Sequence, residues 1–408
     1  MFLVAEFMVL ESIRKRLRRM KKLKRAYKIE IKPTLAQKIK IHQTIGISRF
    51  IYNFYLAHNK EIYQKEKRFV SGIDFSKWLN NEYIPKNQDK KWIKEVSSKA
   101  TKQAIMNGEK AFKKFFKGET SFPKFKKKKN KDVKAYFPKN NKTDWTIERH
   151  RVNIPTIGWM RLKEYGYIPT NSIVKSGTVS QKSDRYYVSI LVEEDIKPND
   201  KPYSCGIGID LGIKDTAICS NGIKFKNINK TSKVKKIERK LKKEQRKLSR
   251  KYESLKIRNK NNKEGATRQN IQKQVVKVQK IHQRLYNIRN DYNNKIVSEL
   301  VKNKPVFITI EDLAISNMIK NKHLSKAVQQ QKLYDLRNKL ISKSHQNNIE
   351  IRQVSRWYPS SKLCNKCGSI KKDLKLSDRV YNCKCGYSFD RDANASYNLR
   401  DAKEYKII

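Results

Sequence analysis

Four cysteines near the C-terminal end of the chain constrain its fold more than any other feature. They form two pairs, Cys364-x2-Cys367 and Cys383-x-Cys385, with fifteen residues between the pairs. Two short knuckles of this kind supply the four thiolates of a tetrahedral Zn²⁺ shell, which leaves no open position for catalysis. The spacing therefore predicts a structural zinc site that staples a loop with almost no core of its own. A redox pair or free thiols are the alternatives.

The other cysteines and the apolar content of the chain indicate its compartment. Cys205 and Cys219 stand alone in apolar, strand-like surroundings, so we expect both to be buried. No stretch approaches the roughly 20 apolar residues of a membrane-spanning helix. The basic residues near the N-terminus follow its apolar segment, which is the reverse of a signal peptide. These features predict a soluble protein of a reducing compartment such as the cytoplasm.

The charge balance predicts a polyanionic partner. Lys and Arg number 95 and Asp and Glu number 38 among the 408 residues, which gives a formal net charge of +57. Self-repulsion of this size brings a free protein no benefit, whereas binding to nucleic acid is favoured by the release of counterions. The charge is spread along the whole chain. This favours nucleic acid over the alternatives, a solubilising surface or an anionic membrane.

Hydrophobic periodicity divides the chain near residue 200. Residues 1–25 form a basic extension, in which Met20 is a candidate for the true start. Alternation over 27–32 predicts a strand, helical periodicity follows over 35–119, and short strands resume between 133 and 194. A β-barrel interrupted by a helical insertion would explain this order.

The second half predicts a domain of strands and helices. Apolar strands are expected at 205–210, 306–310 and 349–354, and a Ser-Asn-Gly turn predicts a hairpin over 215–225. Between them run two long basic helices, which we expect to pack as a pair on the sheet with their basic faces along a phosphate backbone. Their predicted apolar positions are Val234, Ile237, Leu241, Leu248 and Tyr252 in the first helix and Ile271, Val275, Val278, Leu285, Ile288 and Tyr292 in the second.

Three carboxylates form a second candidate site. Asp210 and Glu311 end apolar strands, and Asp392 opens a helix just after the cysteines. Carboxylate oxygens suit Mg²⁺, and two ions about 3.5–4 Å apart can activate a water and stabilise the leaving oxygen of a phosphodiester. The three residues together predict such a site, although each alone could equally be a cap or a surface acid. Of the neighbouring acids, Asp312 is assigned to a cap or a supporting contact. Asp390 is set aside because Asp392 has the better position at the helix start.

Several segments of the chain resemble the TnpB family. TnpB proteins are transposon-encoded, RNA-guided DNA nucleases related to the type V CRISPR effectors, and the resemblance covers roughly residues 20–402. The segments that carry it are Gly206-Ile-Gly-Ile-Asp-Leu-Gly, Ile-Glu311-Asp-Leu, Trp357-Tyr-Pro-Ser-Ser-Lys-Leu-Cys-Asn-Lys-Cys-Gly, Asp390-Arg-Asp-Ala-Asn-Ala-Ser, Ala26-Tyr-Lys-Ile-Glu-Ile-Lys-Pro, Ser48-Arg-Phe-Ile-Tyr-Asn, Phe122-Pro-Lys-Phe-Lys-Lys and Leu248-Ser-Arg-Lys.

This resemblance implies a multidomain α+β fold. An oligonucleotide-binding-like β-barrel, the wedge, would comprise 26–34 and 120–200, with a helical recognition domain inserted at 35–119. An RNase H-like (RuvC) α/β domain would follow at 201–356 and 387–408, interrupted by the four-cysteine zinc finger at 357–386. The leader of 19 residues and the shortened second knuckle depart from the family pattern.

The resemblance also implies partners and chemistry. A guide RNA from the transposon end would direct cleavage of double-stranded DNA next to a short transposon-adjacent motif, and the same element can encode a separate transposase. The implied catalytic, Mg²⁺-binding residues are Asp210, Glu311 and Asp392, and the implied zinc ligands are Cys364, Cys367, Cys383 and Cys385. Two other functions stay open: an RNA-guided repressor that does not cut, which would be expected to lack a carboxylate, and a transposase that joins DNA ends itself.

Overall fold

The computed structural model describes residues 22–127, 133–139, 145–170, 172–195, 205–260, 268–375 and 377–408. The chain divides into two compact units, Met1–Ile196 and Lys197–Ile408. The leader and the candidate start at Met20 lie outside the described residues.

An antiparallel sheet of seven strands organises the first unit. The strands are β1 (Lys22–Lys32), β2 (Val133–Pro138), β3 (Thr146–Ile147), β4 (Arg151–Ile154), β5 (Gly158–Leu162), β6 (Ile173–Lys182) and β7 (Arg185–Asp195). Their spatial order is β2-β6-β7-β1-β5-β4-β3. Because side chains alternate between the faces of a strand, Tyr27, Ile29 and Ile31 of β1 are buried in one core. The predicted strand at 27–32 is therefore present, at the centre of the sheet.

Strand β1 begins inside the segment that the sequence assigns to the basic extension. Residues 22–25 pair with 192–195 of β7. The Arg25 guanidinium lies 3.7 Å from the Glu194 carboxylate and 4.9 Å from the centre of the Tyr27 ring. Glu194 of the neighbouring strand thus pairs with the last residue of the basic run, and the strand starts earlier than the predicted boundary at residue 25.

Helices fill the insertion between β1 and β2. They are α1 (Leu35–Glu66), α2 (Gly72–Trp78) and α3 (Ser98–Phe116), with a π-helical turn at Leu79–Tyr83, a short helical turn at Ile84–Lys86 and a 3-10 helix at Gln88–Glu95 between α2 and α3. Thr34 and Gln37 form a reciprocal capping box at the start of α1. Gly108 of α3 lets this helix approach the buried Tyr55 ring of α1, since a Cβ there would lie 2.5 Å from the ring.

The basic segment after α3 lies against α1. The Asn53 side chain donates to the Lys126 carbonyl (3.0 Å) and accepts from the Lys126 amide (2.8 Å). The Lys126 ammonium lies 3.7 Å from the centre of the Tyr52 ring, and its partial burial lowers the pKa of this lysine. The backbone at Lys126 is therefore held on the helical insertion, while the lysine side chains at 124, 126 and 127 stay exposed.

A mixed six-stranded sheet organises the second unit. The strands of this unit are β8 (Ile207–Asp210), β9 (Asp215–Cys219), β10 (Lys224–Lys226), β11 (Phe307–Glu311), β12 (Glu350–Val354), β13 (Val380–Asn382), β14 (Ser388–Asp390) and β15 (Lys406–Ile407). The sheet order is β10-β9-β8-β11-β12-β15, and β13 and β14 form a separate hairpin. Strands β8, β11 and β12 are parallel to one another, whereas β9, β10 and β15 pair with their neighbours in the antiparallel sense.

The two long helices pack differently from the prediction. The helices of this unit are α4 (Ser232–Lys260), α5 (Gln269–Lys302), α6 (Ile315–Lys320), α7 (Ser325–Gln331), α8 (Leu333–Gln346) and α9 (Arg391–Arg400). Ile296, Leu300 and their neighbours in α5 belong to the core of the sheet, together with residues of α8. Val234 and Ile237 of α4 instead pack on α5. Only the second helix of the predicted pair lies on the sheet.

A polar contact interrupts the apolar seam between α4 and α5. Gln274 donates to the Glu244 carboxylate (2.8 Å) and to the Glu244 backbone carbonyl (3.0 Å), and both side chains are buried. Beyond them Tyr252, predicted as an apolar position, is exposed, and Val275 is only half-buried. The predicted apolar seam is therefore interrupted by the Glu244–Gln274 pair, and Ile271, about one turn beyond Gln274, is buried again. Within the described residues, no helix is long and apolar enough to cross a membrane.

Candidate active site and metal centre

Two glycines position the strand that carries Asp210. A Cβ on Gly208 would lie 2.0 Å from the Ser396 carbonyl oxygen and 2.3 Å from the Arg400 nitrogen, so α9 packs directly on the backbone of β8. A Cβ on Gly206 would meet the Phe307 ring at 2.0 Å. Only glycine permits these approaches. Gly208 thus lets β8 pack on the second half of α9, and Gly206 lets Phe307, the first residue of β11, approach the segment that enters β8.

Glu311 lies at the end of the neighbouring parallel strand. β11 pairs with β8 on one side and with β12 on the other, where Glu311 is opposite Val354. The next residue, Asp312, accepts hydrogen bonds from Gln353 (2.8 Å) and from the Arg356 guanidinium (2.8 Å). Asp312 therefore ties the end of β11 to the end of β12, so of the two predicted roles, a cap or a supporting contact, the structure shows the second.

The start of α9 separates the roles of its two aspartates. Asp390 is the N-cap residue, whose carboxylate accepts from the Ala393 amide (2.9 Å). Asp392 lies in the first turn, where the helix dipole favours a negative charge. Its carboxylate is 3.0 Å from the Arg391 guanidinium and 3.9 Å from that of Arg379. Asp390 is thus occupied as a cap, while Asp392 faces two basic side chains.

The three predicted carboxylates influence one another electrostatically. Burial raises the pKa of Asp210 to about 7, and the negative charges of Asp392 and Glu311 add to this effect. Burial also raises the pKa of Glu311, with a further contribution from Asp312. The structure therefore brings Asp210, Glu311 and Asp392 into one neighbourhood of the second unit. Carboxyl groups with raised pKa values at such a place are a recurrent feature of functional sites.

A small cavity opens on this neighbourhood. Its volume is about 200 Å³. Asp210, Asp215, Arg379, Arg391 and Asp392 contribute to its lining. Carboxylates and two arginines therefore line one space large enough for a few water molecules, although Glu311 does not contribute to its lining.

The four cysteines converge on one point. In the described part of the chain they are the one group of three or more His, Cys, Asp or Glu residues whose ligand atoms all lie within 4.8 Å of one another. The Cys364 and Cys385 sulfurs are 3.7 Å apart, and those of Cys367 and Cys383 are 3.5 Å apart. A tetrahedron with Zn–S bonds of about 2.3 Å has sulfur–sulfur edges of about 3.8 Å. The cluster therefore fits zinc, including the shortened second knuckle.

The ligand oxygens of Asp210, Glu311 and Asp392 do not all lie within 4.8 Å of one another, unlike the four sulfurs, and Asp392 pairs with two arginines. The cysteine knuckles, by contrast, are shaped by their backbones. Gly368 and Gly386 have φ values of +75° and +81°, which only glycine adopts without strain. Behind the cluster, the Tyr381 ring is fully buried, and its hydroxyl donates to the backbone carbonyl of Lys362 (3.1 Å).

Three asparagines join the first knuckle to α9. Asn394 and Asn398 lie one turn apart, and each donates to the Leu363 carbonyl at 2.7 Å. In return, the Asn394 side-chain oxygen accepts from the Asn365 amide (3.3 Å), and that of Asn398 accepts from the Asn365 side chain (3.2 Å). We call Asn365, Asn394 and Asn398 the asparagine bridge. It connects the residues on both sides of Cys364 to the helix that carries Asp392.

Sequence reasoning missed the asparagine bridge and the two arginines beside Asp392. Asn394 and Asn398 show the i, i+4 spacing of one helix face, but their partners lie some thirty residues earlier, which no local pattern indicates.

The prediction that Cys205 is buried is wrong, because this residue precedes β8 and is exposed, whereas Cys219 is buried as expected.

Comparison with known proteins identifies the family of this chain. Three family models match, with the descriptions "Helix-turn-helix domain" at residues 20–68, "Probable transposase" at 189–322 and "Cas12f1-like, TNB domain" at 334–399. The chain is 30% identical to InsQ of Escherichia coli (strain K12), a protein assigned as an RNA-guided DNA endonuclease, over 93% of this chain and 92% of InsQ. The chain belongs to the TnpB family.

Two further likenesses extend the comparison. A Streptomyces pristinaespiralis protein, also assigned as an RNA-guided DNA endonuclease, is 30% identical over 93% of this chain and 89% of its own length. A Cas12f1 structure, solved with sgRNA and target DNA, covers 91% of this chain and 83% of that one at 16% identity, with a TM-score of 0.53. This second likeness concerns the fold alone. The predicted TnpB membership and its class of function are confirmed, whereas the residue roles stay predictions.

Proposed function

We propose that the chain is an RNA-guided DNA endonuclease of a transposon, which cleaves DNA next to a short transposon-adjacent motif at a single RuvC-type site. The observation that carries this proposal is the convergence of Asp210, Glu311 and Asp392 at the ends of β8 and β11 and the start of α9. Family membership supports the reaction class, and the basic composition supports the nucleic-acid partners.

The topology of each unit supports a domain role. In the second unit, three parallel strands flanked on one side by the antiparallel β9 and β10 fit an RNase H-like nuclease core, interrupted by the zinc finger. In the first unit, the antiparallel sheet fits the wedge, and α1 to α3 fit an inserted recognition domain. The domain ranges 26–34 with 120–200, 35–119, 201–356 with 387–408 and 357–386 stay part of this proposal.

The catalytic site is proposed to bind Mg²⁺ through Asp210, Glu311 and Asp392. When bound, Mg²⁺ would supply Lewis-acid stabilisation and an activated water for phosphodiester hydrolysis. The protein's part is to hold carboxylate oxygens, the ligand type that Mg²⁺ prefers, at one edge of a rigid sheet. Arg379 and Arg391 hold Asp392 in place and line the same cavity, where they can also face a phosphate.

The zinc finger is proposed to position Asp392. Zinc held by the four thiolates would fix the first knuckle, and the asparagine bridge joins α9 to that knuckle. Strand β14 runs directly into α9, and its last residue, Asp390, caps the helix and pairs with Val380 of β13. The helix start is therefore held from both ends of the zinc finger, so a structural metal acts on the catalytic site without taking part in the chemistry.

Basic surfaces are proposed to hold the guide RNA and its heteroduplex with DNA. Base pairing would supply the sequence specificity, and the protein would recognise the shape and backbone of the nucleic acid. A separate transposase of the same element would be a further partner. One matching family model is described as "Probable transposase", so direct joining of DNA ends is a second candidate function. A strand-transfer assay without RNA would detect it. A repressor that does not cut is disfavoured, since all three carboxylates are present.

The test compares each proposed ligand with the acid beside it. In a plasmid-cleavage assay with guide RNA and Mg²⁺, Asp392→Asn and Glu311→Gln should each abolish cutting. Asp390→Ser keeps an N-cap, and Asp312→Asn keeps a hydrogen-bonding oxygen, so both controls should retain substantial activity. The assignment would be contradicted if Asp392→Asn or Glu311→Gln still cut the plasmid, or if Asp390→Ser and Asp312→Asn lost cutting to the same extent.

A further inference from the structure

Trp357 is the most exposed large hydrophobic side chain in the described part of the chain, at 86%. It lies in the turn that follows β12, whose last residue, Val354, is opposite Glu311. An indole is among the largest apolar groups in proteins, and leaving it in water forfeits the gain from burying it. Such a side chain at the edge of a nuclease site calls for a ligand that covers it.

The turn that displays Trp357 is held on both sides. The Arg356 guanidinium donates to Asp312, the residue after Glu311, at 2.8 Å. The Tyr358 hydroxyl donates to the Asn398 carbonyl of α9 at 3.1 Å, and the Tyr358 ring packs on the small core around Val354. The backbone between these anchors is therefore fixed to the two elements that carry Glu311 and Asp392. The indole is presented from a rigid turn, so covering it costs little ordering entropy.

We infer that Trp357 stacks on an unpaired base of the DNA strand that is being cut. Aromatic side chains bind single strands by stacking, which requires a base whose face is not already covered by its neighbours in a duplex. The half-exposed Arg356 guanidinium beside the indole supplies a positive charge for the adjoining phosphate. One anchor of the turn is Asp312, the residue after Glu311, and the other is Asn398, six residues beyond Asp392 on the same helix, so we place the base on the Glu311 side of the proposed site. This inference rests on the proposed catalytic site.

The experiment uses the protein loaded with guide RNA and a matched target. Trp357→Ala should slow single-turnover cleavage roughly five- to 150-fold, the loss expected for one base–aromatic stack. Trp357→Phe keeps a stacking ring and should restore most of the rate. Tyr334→Ala, which removes an aromatic side chain that is 63% exposed on α8, is the matched control and should cleave normally.

A second measurement does not depend on turnover. In an Asp210→Ala background, a 2-aminopurine placed in the target strand beside the cleaved bond should be quenched by the indole, and Trp357→Ala should restore its fluorescence. The inference is overturned if Trp357→Ala cleaves at the normal rate, if Trp357→Phe fails to restore cleavage, or if the loss is matched by weaker binding of guide RNA. If Asp210→Ala also cleaves normally, the proposed catalytic site fails; if only Trp357→Ala does, the stacking inference alone fails.

Discussion

Replacing Asp210 with Asn should inactivate the enzyme and stabilise the protein that lacks Mg²⁺. The pKa of Asp210 is raised from 3.8 to about 7, so the folded state resists ionisation of this carboxyl. Three pH units at 1.36 kcal/mol each correspond to a penalty of about 4 kcal/mol at most. The penalty is absent below pH 3.8, accumulates as pH rises to about 7 and is complete above it.

An amide in place of the carboxyl never ionises, and it also removes the repulsion from Asp392 and Glu311. At pH 8 we expect Asp210→Asn to raise the free energy of unfolding of the second unit by about 2–4 kcal/mol. For a unit of this size that is a Tm higher by about 5–10 °C. The assay is thermal unfolding of zinc-loaded protein from pH 4 to pH 8, with and without Mg²⁺.

The pH dependence carries the test. The advantage of the Asn variant should shrink toward zero as pH falls to 4, where both chains carry an uncharged side chain. Adding Mg²⁺ at pH 8 should stabilise the native chain and leave the variant nearly unchanged. The electrostatic reasoning would be refuted if the variant were less stable than the native chain at pH 8. It would also be refuted if the difference in stability between the two chains were the same at pH 4 as at pH 8.

Three further predictions follow from the packing around the site. Gly208→Ala should destabilise the second unit by more than about 3 kcal/mol and abolish cleavage, because its Cβ would lie 2.0 Å from the Ser396 carbonyl; Gly46→Ala, with no atom within 4 Å, is the denaturation control. Removing zinc with a chelator should lower both Tm and cleavage, and re-adding Zn²⁺ should restore both; a chelated protein with full activity would separate the finger from the site. Asn394→Ala should cost about 1–3 kcal/mol and raise the Mg²⁺ concentration for half-maximal cleavage, and an unchanged Mg²⁺ requirement would rule out positioning of Asp392 through the bridge.

The parts of the fold that sequence alone indicated are those set by local pattern. Alternation of Tyr27, Ile29 and Ile31 predicted β1 because one face of that strand is buried. The β9–β10 hairpin followed from its Ser-Asn-Gly turn, in which Gly222 has a φ of +84°. These features depend on residues a few positions apart, which a sequence displays directly.

Features that depend on residues far apart in the sequence were not predicted or were predicted in the wrong place. The apolar spacing of α4 predicted contact with the sheet, but Val234 and Ile237 pack on α5, and the spacing is the same in both cases. The buried Glu244 could not be anticipated without its partner Gln274 on the other helix. Likewise, the role of Asn394 could not be predicted, because its partners Leu363 and Asn365 lie about thirty residues earlier in the chain.

The candidate site could be predicted from the sequence only in part. The positions of the three carboxylates could be predicted because each ends an apolar strand or lies at a helix start, and the parallel pairing of β8 with β11 brings the strand ends together, while their role stays a proposal. The choice of Asp392 over Asp390 rested on the helix start, and the cap formed by Asp390 gives it a physical basis. The pairing of Arg379 and Arg391 with Asp392 was not predicted, because basic residues are common throughout this chain.

The most direct test of the account is the product formed from a supercoiled plasmid by Asp210→Ala loaded with a matched guide RNA and Mg²⁺. If one site cuts both DNA strands, the native chain should linearise the plasmid and the variant should leave it supercoiled, with neither nicked nor linear product. Nicked plasmid formed by the variant at the native rate would require a second catalytic site. Linear plasmid at that rate would contradict the assignment of Asp210 altogether.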